Sequence, residues 1–202
     1  MITTQPPTLP LLGTMAGFRR FSVPEYHRLT EIGVLTEDDN LELIEGYLVN
    51  KMSRNPPHDF VIQRLTRLLL ATLPPNWDVR IQCAMTLPDS EPEPDIALVR
   101  GSARDYAARH PGPTDVGMLI EVADSTLLGD RADKGRIYAR ANVPIYWIVN
   151  LIDRQIEVYE QPSGPTAAPA YAKATTYRIG DSVPLVLDGA TVATFVVNDL
   201  LP

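Results

Sequence analysis

The sequence predicts an α/β (α+β) fold in which a mixed central sheet is flanked by helices. The chain order is helix, three strands, helix, strand, and a helix that connects two strands favours parallel pairing of those strands. Of the 202 residues, 45% are hydrophobic and 21% are charged, which is enough for one substantial core. We therefore expect one domain over residues 21–202. Residues 1–20, rich in Thr, Pro and Leu without periodicity, should form an irregular arm.

The first elements are a short helix and a hairpin. Ser22-Val23-Pro24-Glu25 has the spacing of a capping box with proline in the first turn, so we expect a helix from here to about Ile32. Leu41 to Ile44 and Tyr47 to Met52 are typical of two strands, and Glu45-Gly46 should form the turn between them.

The central elements begin with an amphipathic helix from His58 to about Leu73. Its apolar residues fall on one helical face, and Pro56-Pro57 is expected to break the chain before it. Three strand-like runs follow, at Asp78 to Leu87, Pro94 to Val99 and Gly117 to Ala123.

The second half of the chain continues with a helix from about Leu128 to Ala141. Val143 to Leu151 is almost continuously apolar, which predicts a strand buried on both faces. The tail resembles a set of short antiparallel strands: one at Gln155 to Glu160, a loop at Gln161 to Ala170, and further strands with turns at Gly180-Asp181 and Asp188-Gly189.

Bulk properties narrow the classes of function. The formal net charge of −7 argues against binding nucleic acid through a broad basic surface. The sequence has no run of about 18 apolar residues and no basic leader before an apolar stretch, so we expect a cytoplasmic protein without a membrane partner. The single cysteine, Cys83, has no second cysteine for an internal disulfide and is expected to be a small buried hydrophobe.

Two acidic residues occur in predicted strands that are otherwise apolar. Glu121 lies in the middle of residues 117–123, where a carboxylate must be paired or coordinated, because an isolated buried charge costs several kcal/mol. Asp95 lies at the start of the preceding predicted strand, Pro94 to Val99. If the two strands are neighbours, both carboxylates meet near one end of the sheet and offer hard oxygen ligands to Mg²⁺ or Mn²⁺. The structural alternative is an aspartate at a strand entrance and a glutamate in a core ion pair.

A lysine is predicted to face the same sheet. Lys134, Ile137, Tyr138 and Ala141 recur at helical spacing, which places the Lys134 ammonium on the buried stripe of its helix. Asp130 lies one turn earlier and could orient this ammonium. If Glu121 were not its partner, Lys134 would be interpreted more simply as a solvated charge on the protein surface.

An ordered set of motifs over roughly residues 20 to 200 resembles the Uma-two family of restriction-endonuclease-like proteins. The motifs are Leu41-Glu42-Leu43-Ile44-Glu45-Gly46, His58, Pro94-Asp95, Ile120-Glu121-Val122, Asp130-x-x-x-Lys134-x-x-x-Tyr138 and Val143-Pro144-x-Tyr146-Trp147-Ile148-Val149.

The resemblance implies the PD-(D/E)xK nuclease core, in which an aspartate, an acid on the next strand and a lysine two residues later support metal-dependent phosphodiester hydrolysis. Asp95 and Glu121 fit the pattern as metal ligands, but Ala123 occupies the lysine position. In this family the lysine is moved to the following helix, which implies Lys134, and Glu42 is the implied auxiliary acid of the hairpin. His58 at a helix start is more often a cap or a surface residue than a catalytic group.

The expected function is that of an Mg²⁺- or Mn²⁺-dependent endonuclease acting on nucleic acid, with DNA expected first and RNA left open. A two-fold homodimer would suit cleavage of both strands, with the apolar tail strands as its interface. Two alternatives remain at this point: a non-catalytic binding or assembly module with a nuclease-like fold, and a carboxylate-pair hydrolase acting on sugars. The negative net charge and Ala123 favour the non-catalytic module. The sugar hydrolase lacks support, because the sequence has no aromatic platform near Asp95.

Overall fold

The computed structural model describes residues 17–51 and 54–202. Residues 1–16 of the predicted arm lie outside the described residues, as do Met52 and Ser53. The chain contacts divide into two compact units, one that ends at Lys51 and includes Pro88–Glu91, and one with the remainder. Across the described ranges, no helix combines the length and the hydropathy that crossing a membrane requires.

The first unit consists of a helix and a hairpin: α1 (Val23–Glu31), β1 (Leu41–Ile44) and β2 (Tyr47–Asn50), with β1 and β2 antiparallel. The predicted capping box is present, since the Ser22 Oγ accepts from the Glu25 N–H at 3.4 Å and Glu25 Oε2 accepts from the Ser22 N–H at 2.9 Å. Gly46 adopts φ +82° in the turn, and its N–H donates to the Asp89 carbonyl at 2.8 Å. The predicted helix, hairpin and turn are therefore confirmed. Met52, the predicted end of the second strand, lies outside the described residues.

The second unit contains a six-stranded mixed sheet in the order β3-β4-β5-β6-β7-β8. Its strands are β3 (Trp77–Ile81), β4 (Ile96–Arg100), β5 (Val116–Ala123), β6 (Ile145–Asn150), β7 (Gln155–Pro162) and β8 (Tyr171–Arg178). β5 and β6 are parallel, and every other neighbouring pair in this sheet is antiparallel. The predicted mixed sheet is confirmed. A separate antiparallel hairpin follows, made of β9 (Ser182–Leu187) and β10 (Ala190–Val196).

Besides short 3₁₀ turns, the described part of this unit contains two helical segments. Helix α2 (Pro56–Thr72) contributes Val61, Leu65 and Leu69 to a core cluster that also contains Ile120 and Trp147 of the sheet. The second segment, which we name α3, is continuous and consists of an α-helical turn Leu127–Gly129, a π-helical turn Asp130–Lys134 and an α-helix Gly135–Arg140. It connects β5 to β6, as the parallel pair requires.

Strand β6 is the interior strand that its apolar sequence predicts. All six of its residues are buried, and Trp147 is 0% exposed. Gly117 on β5 lies directly under the Trp77 ring, where an added Cβ would overlap the ring carbons. The tight contact between β5 and Trp77 therefore requires the absence of a side chain at this position.

Three predicted boundaries are wrong. Pro56 and Pro57 do not precede the helix but form its first turn, where proline needs no hydrogen-bond partner for its nitrogen. The first strand of the sheet ends at Ile81, and not at Leu87, because Gln82 adopts φ +51° and leaves the extended conformation. The loop predicted from Gln161 begins later, since β7 continues to Pro162.

Candidate active site

Asp95 and Glu121 lie side by side at one end of the sheet. Ile96 on β4 pairs with Ile120 on β5, so Asp95, immediately before β4, is opposite Glu121. The Val122 N–H donates to Asp95 Oδ2 at 2.9 Å, and the Asp95 N–H approaches Glu121 Oε2 at 3.4 Å. The two carboxylates that sequence analysis singled out therefore converge.

Lys134 reaches the same place from α3. Its Nζ lies 2.9 Å from Glu121 Oε1, and the Tyr138 hydroxyl, one turn later, donates to that oxygen at 2.8 Å. Asp130, one turn earlier, has Oδ1 3.8 Å from the same ammonium. The π-helical turn lies between Asp130 and Lys134, and such turns are frequent at functional sites. The predicted orientation of Lys134 toward Glu121 is present in the structure.

His58 is a further member of this group, although its position at a helix start favours a cap or a surface residue. It lies in the first turn of α2, where its N–H donates to the Asn55 side chain at 3.1 Å. Its Nε2 lies 3.0 Å from Asp95 Oδ2. The sequence signal is no more than a histidine at a helix start, because the contact depends on where the helix meets the sheet.

Burial and pairing shift the pKa values of these groups in opposite directions. Burial raises the pKa of Glu121 to about 8, although the Lys134 ammonium opposes this shift. Burial also raises the pKa of Asp95, but the hydrogen bond with His58 and the N–H of Val122 outweigh it, so the net shift is downward. The hydrogen bond to Asp95 raises the pKa of His58. The site therefore separates two carboxyl groups into one that ionises readily and one that holds a proton more tightly.

Glu42 is placed differently from the other predicted residues. It is a buried residue of β1, opposite Val49, in the first unit, whereas Asp95, Glu121 and Lys134 belong to the second unit. Its auxiliary role remains a prediction. Glu45 has φ +48° in the hairpin turn, which confirms the interpretation of this residue as part of the turn.

The donor set fits a hard divalent cation that retains water. Within residues 17–51 and 54–202, no three His, Cys, Asp or Glu side chains surround a common point. Mg²⁺, however, usually keeps several water ligands and binds through one or two carboxylates. Asp95 and Glu121 supply two such carboxylates from adjacent strands. They are the residues that would hold the cation.

Comparison with known proteins identifies the family. A family model named Uma2 and described as "Putative restriction endonuclease" matches residues 23–193. The chain belongs to the Uma2 family. The resemblance expected from the ordered motifs is thereby confirmed, and the family description supports a nuclease-like function.

A solved structure shows the same fold as this Uma2 chain. It is described as the crystal structure of a putative nuclease belonging to DUF820 from Anabaena variabilis ATCC 29413, and it superposes with a TM-score of 0.69 at 15% sequence identity. The alignment covers 89% of this chain and 97% of the other. The predicted mixed α+β fold is confirmed by this likeness. A search of curated proteins gave no match.

Proposed function

We propose that this Uma2 chain is a divalent-metal-dependent nuclease that hydrolyses phosphodiester bonds of nucleic acid. The observation that carries the proposal is the convergence of Asp95, Glu121 and Lys134 at the end of two adjacent strands. A buried glutamate beside a helix lysine is costly to maintain for stability alone, because buried ion pairs contribute little net stability. An array of this kind is better explained by chemistry at the site.

Each residue has a distinct task in this proposal. Asp95 and Glu121 hold the cation, which would make a bound water more acidic and offset the negative charge of the phosphate. The Lys134 ammonium holds a nonbridging oxygen or orients the attacking water. Tyr138 and the Val122 N–H fix the orientations of the two carboxylates, through contacts of 2.8 and 2.9 Å.

The remaining elements of the proposal are those expected from the sequence and from the family resemblance. Glu42 is the proposed auxiliary acid. DNA is the proposed substrate, Mg²⁺ or Mn²⁺ the proposed cation, and a two-fold homodimer in the cytoplasm the proposed working form.

Carboxylate substitution tests the proposal. Asp95→Asn and Glu121→Gln should each abolish Mg²⁺- or Mn²⁺-dependent cleavage of DNA or RNA while the chain stays folded, since both are close in shape to the parent residues. Metal should raise the melting temperature of the parent more than that of either variant. Glu160→Gln is the control, because Glu160 forms an ion pair with Lys173 on β7 and β8, outside the site. Cleavage at the parent rate by either site variant would refute the assignment.

A non-catalytic binding module is the second candidate. It is favoured by two observations: both carboxylates already have partners in the chain, at 2.9 Å from Lys134 and 3.0 Å from His58, and Ala123 occupies the usual lysine position. Calorimetric titration with Mn²⁺ separates the two candidates. A module should give no binding that depends on Asp95, whereas the nuclease should lose its site in Asp95→Asn.

A further inference from the structure

Arg80 is an arginine on the sheet whose charge has no carboxylate partner among the described residues. It lies on β3, which is one of the two edge strands of the six-stranded sheet. Its side chain is half-buried, and its Nε is buried without a hydrogen-bond partner in residues 17–51 and 54–202. A buried donor of this kind normally has an acceptor, because leaving it unpaired costs about 1–3 kcal/mol.

An aromatic ring holds Arg80 in place. The guanidinium carbon lies 5.4 Å from the centroid of the Tyr106 ring, and the Tyr106 hydroxyl donates to the Arg100 carbonyl. A second arginine, Arg109, lies 5.1 Å from the same centroid, but its guanidinium is bound by Asp115 through contacts of 2.6 and 3.3 Å. The two arginines thus share one tyrosine and differ in that Arg109 has its anion within the chain.

The pairing of the strands places Arg80 close to the candidate active site. Arg80 pairs with Ala97 on β4, which pairs with Leu119 on β5, so Arg80 lies on the same face of the sheet as Glu121. Strand spacing and rise put the Arg80 Cα about 8 Å from that of Asp95 and about 12 Å from that of Glu121. These separations are short compared with a bound nucleic acid, so Arg80 and the two carboxylates would contact the same short stretch of its backbone.

We propose that the Arg80 guanidinium binds a phosphodiester group of the nucleic acid close to the bond that is cut. The planar donors of arginine match phosphate oxygens, and Arg80 has no anion among the described residues that would compete for them. A chain with a net charge of −7 has no excess of basic residues for general attraction, so individual arginines with no internal anion determine where the backbone runs. This inference rests on the proposed function and adds the path of the substrate along β3.

The test measures binding without cleavage. The full-length chain is titrated, in buffer without divalent cations, into a fluorescently labelled DNA duplex at 50 and 200 mM salt. Each phosphate contact contributes about 0.9 to the slope of log affinity against log salt. Arg80→Gln should therefore lower this slope by about 0.9, so that the affinity ratio of parent to variant falls about threefold to fourfold between the two salts. Arg80→Lys should keep most of the slope, and Arg109→Gln should leave it unchanged.

Neutral methylphosphonate groups, introduced one at a time, locate the contact. At one position the substitution should weaken binding by the parent and leave binding by Arg80→Gln unaffected, because the interaction is already absent. Three outcomes would each overturn the proposed contact. The first is an equal salt slope for the parent and Arg80→Gln, and the second is an equal effect of the methylphosphonate group on both proteins. The third is a parent that does not bind the duplex. A parent that cuts DNA with Mn²⁺ but has an unchanged slope in Arg80→Gln refutes the contact alone. A parent with the expected slopes but no cleavage refutes the nuclease proposal alone.

Discussion

Removing the carboxylate of Glu157 should destabilise the protein in a way that depends on pH. Glu157 on β7 accepts hydrogen bonds from Arg131 Nε at 2.9 Å and from Asn150, Gln155 and Tyr159 at 2.8 to 3.0 Å. A second, shorter contact from Arg131 completes a bidentate pair. None of these side chains belongs to Asp95, Glu121, Lys134 or His58, so the variant Glu157→Gln is measured by its effect on stability.

The magnitude follows from the pKa of Glu157. Burial alone would raise it, but Arg131 and the neutral donors lower it from 4.5 to about 2. At about 1.4 kcal/mol per pH unit this difference corresponds to roughly 3 kcal/mol. Arg131 is 37% exposed, so solvent screening reduces the figure to about 2–3 kcal/mol. Because the pKa is lowered by folding, this stability is present above pH 4.5 and is lost as the pH falls from 4.5 toward 2.

Urea denaturation followed by circular dichroism between pH 7 and pH 2.5 measures the effect. At pH 7, Glu157→Gln should lower the free energy of unfolding by about 2–3 kcal/mol, and the difference from the parent should shrink as the pH falls below 4.5. Glu160→Gln on the same strand is the matched control, because its partner Lys173 is 52% exposed and such pairs contribute at most about 1 kcal/mol. A difference for Glu157→Gln that stays constant down to pH 2.5 would refute the reasoning.

Three further predictions address the core and the site. Trp147→Ala should lower the free energy of unfolding by roughly 3–5 kcal/mol, measured by denaturant titration, since Trp147 is completely buried. A normal midpoint would show that β6 does not carry the core. Lys134→Met should reduce turnover by about 100-fold or more while Mn²⁺ binding persists, and adding Ala123→Lys should restore part of the rate. No loss in Lys134→Met would exclude a catalytic role. Gly117→Ala should lower the melting temperature by forcing Trp77 to shift, and an unchanged value would contradict this packing.

The parts of the structure that the sequence predicts well are those with an unambiguous hydrophobic pattern. Residues 143–151 have no polar interruption before Asn150, which only an interior strand explains. Glu121 stood out for the same reason, because a charge inside such a run needs a specific partner. Lys134 followed from the helical stripe that it shares with Tyr138. In each case local pattern and burial point to the same conclusion.

The parts that could not be predicted depend on contacts between distant segments. The π-helical turn at Asp130–Lys134 consists of residues that are also ordinary in an α-helix, so nothing in the sequence distinguishes it. Nothing local indicates that Gln82 leaves the strand. The contact of His58 with Asp95 requires the first turn of α2 to lie at the end of β4, which neither segment encodes alone.

The chemistry of the site depends on α3 more than on the strands that carry the carboxylates. In the usual pattern the lysine follows its acid by two residues on the same strand, so its position is tied to that of the acid. Here the lysine is on a helix, and its Nζ is positioned by packing of α3 on the sheet, with the Tyr146 hydroxyl donating to the Asp130 carbonyl at 3.1 Å. A change that shifts α3 therefore moves the Lys134 ammonium and the Tyr138 hydroxyl that both contact Glu121, whereas the contacts of Asp95 with His58 and the Val122 N–H do not involve α3. Under the proposed function, Tyr146→Phe, which removes that hydrogen bond and leaves the contacts of Asp95 unchanged, should lower turnover while Mn²⁺ binding that depends on Asp95 persists in calorimetric titration.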